Sequence, residues 1–383
     1  MSEIYRVACA AGFSGDRLGV AKPLVNSLLH HGGPACLIFE SLAERTLALA
    51  QLERRQNNQL GYEPLLEEMI EPILSDCVTA GIPIIGNFGA ANPYAAASVI
   101  ARLAKEKNLP ELKIAVVLGD DISGVEYQSL IEVHLTTSDQ ALLARSQMVS
   151  ANVYLGAKEI ADALNAGAQI VVTGRVADPA LTVGPLMAYF KKRWDDWNFL
   201  ASATMAGHLL ECGAQVTGGY FSDPGYKDVP NLSHVGFPIV EFDSQGNICV
   251  TKPEGSGGIV NRLTVTEQLL YELHDPADGD PRGQPYRRDR AFGALDGRRN
   301  PPAGLHRSVL CERPDAGARV HPRREECGAA HPGHHRLIAG NEIRTGIAGF
   351  QSHHRAEPCR SCYSPRNERK PGESDRFIHH IFR

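Results

Sequence analysis

The residues best suited to chemistry in this chain lie in one stretch, 206–228, with the sequence AGHLLECGAQVTGGYFSDPGYKD. A helix that persists through this stretch would place His208, Glu211, Cys212 and Gln215 on one face, because they are spaced i, i+3, i+4 and i+7. An imidazole and a carboxylate on one face suit proton transfer, and the thiol and the amide suit substrate hydrogen bonding. A capped helix with a His–Glu pair and a buried Cys212 is an equally consistent interpretation.

Two adjacent glycines, Gly218 and Gly219, follow this predicted helix. Glycine lets the backbone approach a ligand closely or adopt a positive φ, so we predict ligand contacts here. The spacing of His208 and Glu211 is not a zinc motif by itself, since no second histidine lies nearby at ligand spacing. The metal requirement therefore stays unknown, with a divalent cation as one option.

Charged residues follow two of the predicted strands. Arg175 follows the strand 169–173, where a guanidinium would clamp a carboxylate or phosphate, and Asp178 is either its partner or a helix cap. Asp120 follows the strand 112–118 and begins a pair of carboxylates, which suits Mg²⁺ binding or the orientation of a base. The predicted catalytic residues are His208, Glu211, Asp120 and Asp178.

A glycine-containing turn, GFSGDR at 12–17, separates a predicted strand from a predicted helix. That geometry offers backbone N–H groups to an anion. Its spacing matches neither the dinucleotide fingerprint nor the P-loop, so a plain tight turn fits equally well. A second polar turn, at 86–93, carries Asn87 at the end of another strand. The predicted ligand-binding residues are Gly12, Ser14, Gly15, Asp16, Arg17, Asn87, Arg175, Gly218 and Gly219.

Five strand–turn–helix units run in series, which is the pattern of a parallel α/β fold. We predict a three-layer α/β sandwich with a mostly parallel sheet, whose polar turns meet in one pocket at one edge, plus a smaller α+β unit. Helices are predicted at 62–80 and 146–164, and Glu40 and Glu44 are assigned structural roles near a helix N-terminus. The predicted domains are 1–194 (parallel α/β), 195–277 (α+β, with a hairpin and a glycine-rich loop) and 278–383 (a basic, patternless tail).

The composition is that of an ordinary globular protein, with 43% of the 383 residues hydrophobic. The apolar runs are short and the N-terminus lacks a signal-peptide pattern, so neither a membrane span nor a signal peptide is expected. Nine scattered cysteines argue for a reducing cytoplasm and against a disulfide framework. We therefore expect a cytoplasmic protein with no membrane or nucleic-acid partner.

Residues 278–383 differ in character from the rest of the chain. The formal charge is −12 over 1–277 and +7 over 278–383. In the later segment Leu, Ile, Val and Phe make up 15 of 106 residues, below the roughly 20% typical of a chain that forms a core. Arg outnumbers Lys there by 19 to 1. This pattern fits either a basic disordered tail or translation in a shifted reading frame.

Eight segments together resemble the acyclic terpene utilisation protein A family, over residues 1 to about 277. They are GFSGDR at 12–17, NFGAANP at 87–93, GDD at 119–121, SANVYLGA at 150–157, TGRVADPALTVGP at 173–185, the stretch 206–230, KPEGSGG at 252–258 and TVTEQLLYELHDP at 264–276. The resemblance implies a cytoplasmic protein of citronellol- or geraniol-type isoprenoid catabolism, which proceeds through acyl-CoA intermediates. NFGAANP has alanines where the family tends to have a second glycine, and the segment after 277 departs from the family pattern.

Two functions are consistent with these residues. The first is an enzyme that acts on a small branched carboxylate or its CoA thioester, in a hydratase, lyase or thioester-processing step. A dehydrogenase is disfavoured, because the dinucleotide fingerprint is missing. The alternative is a non-catalytic subunit or scaffold of an acyl-CoA carboxylase-type complex. The expected partners are a small-molecule substrate, a second copy of the chain and, under the alternative, the carboxylase; the cofactor is unknown.

The shifted-frame interpretation of 278–383 makes a direct prediction. Downstream of the codon for residue 277, one of the other reading frames of the coding DNA should encode a continuation of the protein. Its translation should again show the regular spacing of apolar residues that helices and strands require. Sequencing of that DNA is the measurement. If neither alternative frame encodes a patterned continuation, the segment is a genuine basic tail.

Overall fold

The computed structural model describes residues 3–129, 131 and 148–271, and the backbone of three further strands within 308–382. Over residues 4–251 a seven-strand, mostly parallel sheet carries helices on both faces, which confirms the predicted α/β class. The strands are β1 (Ile4–Cys9), β2 (Ala35–Phe39), β3 (Ile84–Gly86), β4 (Ile114–Val117), β5 (Ile170–Thr173), β6 (Ile239–Asp243) and β7 (Ile248–Thr251).

The strand order is β4-β5-β3-β2-β1-β6-β7. Strands β1 to β5 are mutually parallel, while β6 and β7 are antiparallel additions beside β1. The carboxyl ends of five strands therefore share one edge of the sheet, which we call the carboxyl edge. Strands β6 and β7 belong to the predicted α+β unit, yet they extend the same sheet.

Three backbone strands lie within the segment predicted to be a patternless tail. β8 (Ser308–Arg313) pairs with β9 (Gly317–Pro322), and β9 pairs antiparallel with β7. β10 (Ile378–Phe382) pairs antiparallel with β4 at the other side of the sheet. The divisions at 194 and 277, and the origin of the last segment, stay predictions.

Two layers of helices cover the sheet, one on each face. Helices α1, α3, α4 and α5 pack on one face and α6 to α9 on the other, while α2 lies over the carboxyl edge. The helices are α1 (Ala21–His31), α2 (Glu44–Gln56), α3 (Leu66–Ile70), α4 (Leu74–Ala80), α5 (Pro93–Glu106), α6 (Lys158–Asn165), α7 (Ala180–Phe190), α8 (Trp197–Glu211) and α9 (Arg262–Leu270).

The strands are buried on both faces, which explains their continuous apolar sequences. Because strand side chains alternate between faces, Val7 and Cys9 pack into one core while Ala8 packs into the other. Within the part of the chain that the structure describes, no helix is long and apolar enough to cross a bilayer.

The sequence predicted one continuous helix at 62–80, and this prediction is wrong. The structure has two short helices there, α3 and α4. Pro72 lies between them and has no N–H to donate to the preceding turn, so the first helix ends before it.

The helix predicted at 146–164 is wrong over 148–157, because α6 begins only at Lys158; residues 146 and 147 lie outside the described residues. Residues 150–155 are extended instead and run between the chain segments that leave β4 and β5. Val153 N–H donates to the Asp120 carbonyl at 2.8 Å, and Leu155 N–H donates to the Arg175 carbonyl at 3.2 Å. The backbone carbonyls of Asp120 and Arg175, which follow β4 and β5, need hydrogen-bond donors. Residues 150–155 supply them only in an extended conformation, and this outweighs their local preference for a helix.

Asn92 is the N-cap of α5 and also holds the preceding loop. Its Oδ1 accepts from Ala95 N–H at 3.3 Å, and its Nδ2 donates to the carbonyls of Asn58 and Leu60 at 2.9 and 2.8 Å. Asn92→Ala should lower the free energy of unfolding by about 1–2 kcal/mol, because it removes a cap and two loop contacts. Denaturant unfolding measures this. Ser98→Ala, an exposed change on the same helix, is the control, and equal stability of the two variants would contradict the assignment.

Candidate functional site

Five polar side chains follow β2, β3, β4 and β5 and meet at the carboxyl edge. In a parallel sheet these ends are adjacent, so residues distant in the chain become neighbours. The sequence predicted that six residues would gather there: Asp16, Arg17, Asn87, Asp120, Arg175 and Asp178. The structure brings the last four together with Glu40, while Asp16 and Arg17 lie in the neighbouring loop after β1. We call this set the rim cluster: Glu40, Asn87, Asp120, Arg175 and Asp178.

The guanidinium of Arg175 is the centre of the rim cluster, and the residue is only 2% exposed. Its Nε donates to the Val176 carbonyl at 2.9 Å, Nη1 donates to the Leu42 carbonyl, and Nη2 donates to Asp178. The ring of Tyr154 lies over the guanidinium, 4.6 Å from its carbon to the ring centroid. A buried cation needs such partners, so Arg175 ties the loops after β2 and β5 together.

Glu40 is a buried carboxyl group beside this cation. Its Oε1 accepts from Asn87 Nδ2 at 2.8 Å and from Leu42 N–H at 3.1 Å. Asn87 is itself held by Ser41 N–H, which donates to its Oδ1 at 2.8 Å. Burial raises the pKa of Glu40 well above its ordinary value, and the charge of Asp178 raises it further. Glu40 therefore holds a proton more tightly than an exposed glutamate does.

Asp120 anchors the turn after β5. Its Oδ2 accepts from Arg175 N–H at 2.8 Å and from Asn152 Nδ2 at 3.0 Å. Burial raises the pKa of Asp120. A Cβ at Gly174 would lie 2.6 Å from this carboxylate, so the turn approaches so closely only because residue 174 is glycine. Asp121 points away, and its side chain is 36% exposed.

Tyr154 covers the outer side of Arg175. Its hydroxyl donates to Glu44 at the start of α2, and this bond lowers the pKa of Glu44. Burial of the ring, with Glu44 nearby, raises the pKa of Tyr154 to about 12. Tyr154 and Asn152 both come from the extended segment 150–155, so this segment holds two members of the rim cluster in place.

A cleft of about 110 Å³ lies beside the rim cluster. Ser14 from the loop after β1, Ser41 and Leu42 from the loop after β2, and Ala90 from the loop after β3 contribute to its wall. The Leu42 carbonyl that accepts from Arg175 thus belongs to a residue of the cleft. The remaining lining residues come from α2 and the segment before α3: Thr46, Leu49, Ala50, Glu53, Tyr62, Glu63 and Pro64.

The predicted anion loop at 12–17 is held by its own side chains. Asp16 accepts from Gly12 N–H at 2.9 Å and from Arg17 N–H at 2.6 Å, and Gly15 has a φ of 79°. Arg17 donates to the Val235 carbonyl at 2.5 Å. Burial raises the pKa of Asp16. The loop lies next to the rim cluster and contributes Ser14 to the cleft, but its other contacts are to protein.

Gly218 and Gly219 use their backbone donors within the protein. Gly218 N–H donates to the Gln215 carbonyl at 3.0 Å with a φ of 97°, and Gly219 N–H donates to the Ala214 carbonyl at 2.7 Å. Glycine is required at 218 for its backbone conformation. Ligand contact at these two residues stays a prediction.

His208 and Glu211 pair on α8 at 2.8 Å between Nδ1 and Oε1. Gln268 from α9 donates to the His208 carbonyl at 2.7 Å. The expectation that Cys212 and Gln215 continue this helical face is wrong. The helix ends at Glu211, and a left-handed glycine at 213 turns the chain into a short 3₁₀ segment.

The last turn of α8 lies against the turn that carries Asp178. A Cβ at Gly207 would meet the Cα of Pro179 at 2.7 Å, so the helix and the residue after Asp178 are in close backbone contact. His208 is the next residue of α8. The helix that carries the His208–Glu211 pair therefore packs against the turn that carries Asp178.

Sequence reasoning missed Glu40 as a member of the site. The signal was the same one that identified Asp120, a carboxylate directly after an apolar strand. Its assignment to a helix dipole is wrong, because α2 begins only at Glu44.

Within the described residues no group of three or more His, Cys, Asp or Glu side chains is arranged to hold a metal ion. The rim cluster instead combines one cation with three carboxyl groups in different environments, which suits proton transfer.

The matching protein-family model is described as acyclic terpene utilisation family protein AtuA, and it covers residues 5–281. The chain belongs to this family. The resemblance inferred from the eight segments is thereby confirmed, including its extent. Neither the curated proteins nor the solved structures gave a match. The rim cluster, the cleft and the His208–Glu211 pair all lie inside the AtuA segment.

Arg175→Met should destabilise the protein by about 3 kcal/mol or more. The change leaves the buried Leu42 and Val176 carbonyls without their donor, at about 1–3 kcal/mol each, and deprives Asp178 of its partner. Arg193→Met is the matched control, because Arg193 forms an exposed pair with Asp195, which contributes little. Urea unfolding of both variants measures the difference. Equal stability would show that Arg175 does not hold the loops together.

Proposed function

We propose that this AtuA-family protein is an enzyme of acyclic terpene catabolism that acts on a small branched carboxylate or its CoA thioester. The reaction class proposed is hydration, dehydration or a related lyase step. The observation that carries the proposal is the Arg175–Asp178 pair at the carboxyl edge, next to a cleft between loops. A carboxylate paired with a guanidinium is favoured in its ionised form and can accept a proton from a substrate.

The two members of this pair differ in exposure, which supports separate roles. Arg175 is buried, whereas the Asp178 side chain is 37% exposed. A substrate that enters from the carboxyl edge can therefore reach Asp178, while Arg175 fixes the position of Asp178 from behind. In this proposal Asp178 is the general base, and Asp120 positions the turn through Arg175 N–H.

The lining of the cleft supports an uncharged, branched portion of the substrate there. Leu42, Leu49, Ala50, Pro64 and Ala90 offer apolar surface of the kind that small-molecule sites use. The cleft also contains the carboxylates of Glu53 and Glu63, which repel an anion. The carboxylate or thioester end of the substrate would therefore point towards Asp178 and Tyr154.

His208 and Glu211 are a second candidate acid–base pair, since they lie on α8 beside the turn after Asp178. We also propose that the protein works in the cytoplasm as a homo-oligomer, with a CoA thioester as substrate; the cofactor stays unknown. A divalent metal remains one of the ligands to test.

A thermal-shift screen of the full chain tests the proposed function. We expect CoA thioesters of branched acids to raise the unfolding midpoint, because a ligand that binds only the folded state adds RT ln(1 + [L]/Kd) to its stability. Free CoA, nucleotides and divalent metals complete the panel. Asp178→Asn should abolish turnover, and His208→Ala should lower it if the second pair takes part.

The control variant is Asp195→Asn, which changes an exposed carboxylate in the same way. If none of the ligands binds and the protein co-purifies with an acyl-CoA carboxylase, the non-catalytic alternative is correct. Binding of nucleotides alone would point to a nicotinamide- or flavin-dependent enzyme instead.

A further inference from the structure

We propose that Glu40 and Asp178 form an acid–base dyad in which Glu40 donates a proton to the substrate while Asp178 accepts one. The inference rests on the proposed function, since it divides that chemistry between two residues of the rim cluster. It adds Glu40 as a catalytic residue and selects 3-hydroxyacyl compounds, or the enoyl compounds formed from them, as the substrate class.

The hydrogen bonds of Glu40 orient its carboxyl group. Asn87 Nδ2 and Leu42 N–H both donate to Oε1, so this oxygen acts as the acceptor. Among the described residues none donates to Oε2. A proton on the carboxyl group therefore sits on Oε2, and Glu40 becomes a donor with a fixed direction. Ser41 and Leu42, the two residues that follow, line the cleft.

Arg175 connects the two carboxyl groups and makes them unequal. Its guanidinium donates hydrogen bonds to the Asp178 carboxylate and to the Leu42 carbonyl. The N–H of Leu42 in turn donates a hydrogen bond to Glu40. Asp178 thus has the counter-ion and the solvent contact, whereas Glu40 is only 7% exposed. Two carboxyl groups in such different environments divide into one acid and one base.

The groups that face Glu40 act on its pKa in both directions. Cys9 on β1 is buried, and burial raises the pKa of its thiol. The Asn87 hydrogen bond, the charge of Arg175 and the Leu42 N–H each lower the pKa of Glu40, but burial outweighs them and the net direction is upward. The repulsion from Asp178 raises the pKa of Glu40 on top of the effect of burial. The geometry and the direction of the pKa shift therefore both favour Glu40 as the proton donor of the pair.

The proposed step balances for the dehydration of a 3-hydroxyacyl thioester. Asp178 takes the proton from the carbon next to the carbonyl, and the electron pair of that C–H bond forms the C=C bond. The C–O bond to the 3-hydroxyl breaks with its electron pair, and the proton of Glu40 converts the departing hydroxide into water. Asp178 then releases its proton to water and Glu40 regains one, and hydration is the same step reversed.

Glu40→Gln in the full chain tests the dyad. The amide oxygen can still accept from Asn87 and Leu42, but the side chain has no acidic proton, so geometry is kept while proton donation is lost. With a branched enoyl-CoA as substrate we expect kcat to fall by about 100-fold or more with little change in KM. The fall in rate at high pH, as Glu40 loses its proton, should also disappear. Glu159→Gln on α6 is the control and should keep full turnover.

A second readout does not depend on turnover. The folded protein binds the Glu40 proton more tightly than the unfolded chain, so the associated stability is present below the ordinary pKa of 4.5 and is lost as the pH rises. The unfolding midpoint of the natural protein should therefore fall relative to that of Glu40→Gln above this pH. If Glu40→Gln does not fold, Asp178→Asn serves, since removal of that charge should lower the pH at which the infrared band of the protonated carboxyl disappears.

The outcomes separate the dyad from the proposed function. Normal turnover by Glu40→Gln would overturn the dyad and leave the proposed function intact. So would a constant difference, at every pH, between the unfolding midpoints of the natural protein and Glu40→Gln. Absence of binding and turnover by the natural protein with every thioester would overturn both. Loss of kcat together with the pH-dependent difference in stability would establish Glu40 as the acid.

Discussion

The structure depends on one buried cation. Arg175 is almost fully enclosed, and each of its described bonds reaches a different part of the carboxyl edge: the β2 loop at Leu42, its own turn at Val176, and Asp178 before α7. A desolvated guanidinium without these partners would be strongly destabilising, so the loops can move apart only at high cost. The same requirement that holds the loops together also sets the electrostatics of the site.

Around Arg175 the carboxyl groups differ because their surroundings differ. Glu40 is desolvated and faces Asp178, which raises its pKa, whereas Glu44 accepts from the Tyr154 hydroxyl, which lowers its pKa. Asp120 is held by the backbone of Arg175 and by Asn152. Burial, a single cation and a few hydrogen bonds thus shift the pKa values of neighbouring carboxyl groups in opposite directions. This difference in environment is the basis of the acid–base chemistry that we propose for the edge.

The segment that matches the family contains the whole of this edge. The AtuA segment spans 5–281 and includes the rim cluster together with the residues that hold it, such as Tyr154 and Asn152. The loop at 12–17 and the end of α8 lie next to each other, and a Cβ at Gly12 would meet the backbone of Cys212 at 2.5 Å. Their present geometry is that of supports for the loops around the cleft.

The sequence by itself determined the family, the parallel α/β class and the polar residues at the strand ends, because apolar strands and their polar ends are local patterns. It placed Asn87, Asp120, Arg175 and Asp178 at one edge, since parallel strands share that edge. Only the tertiary structure decided that 150–155 is extended and that Glu40 belongs to the site. Both depend on hydrogen bonds between segments that are distant in the chain. The carbonyls that follow β4 and β5 need donors from 150–155, and the buried Glu40 carboxyl group needs the donors of Asn87 and Leu42.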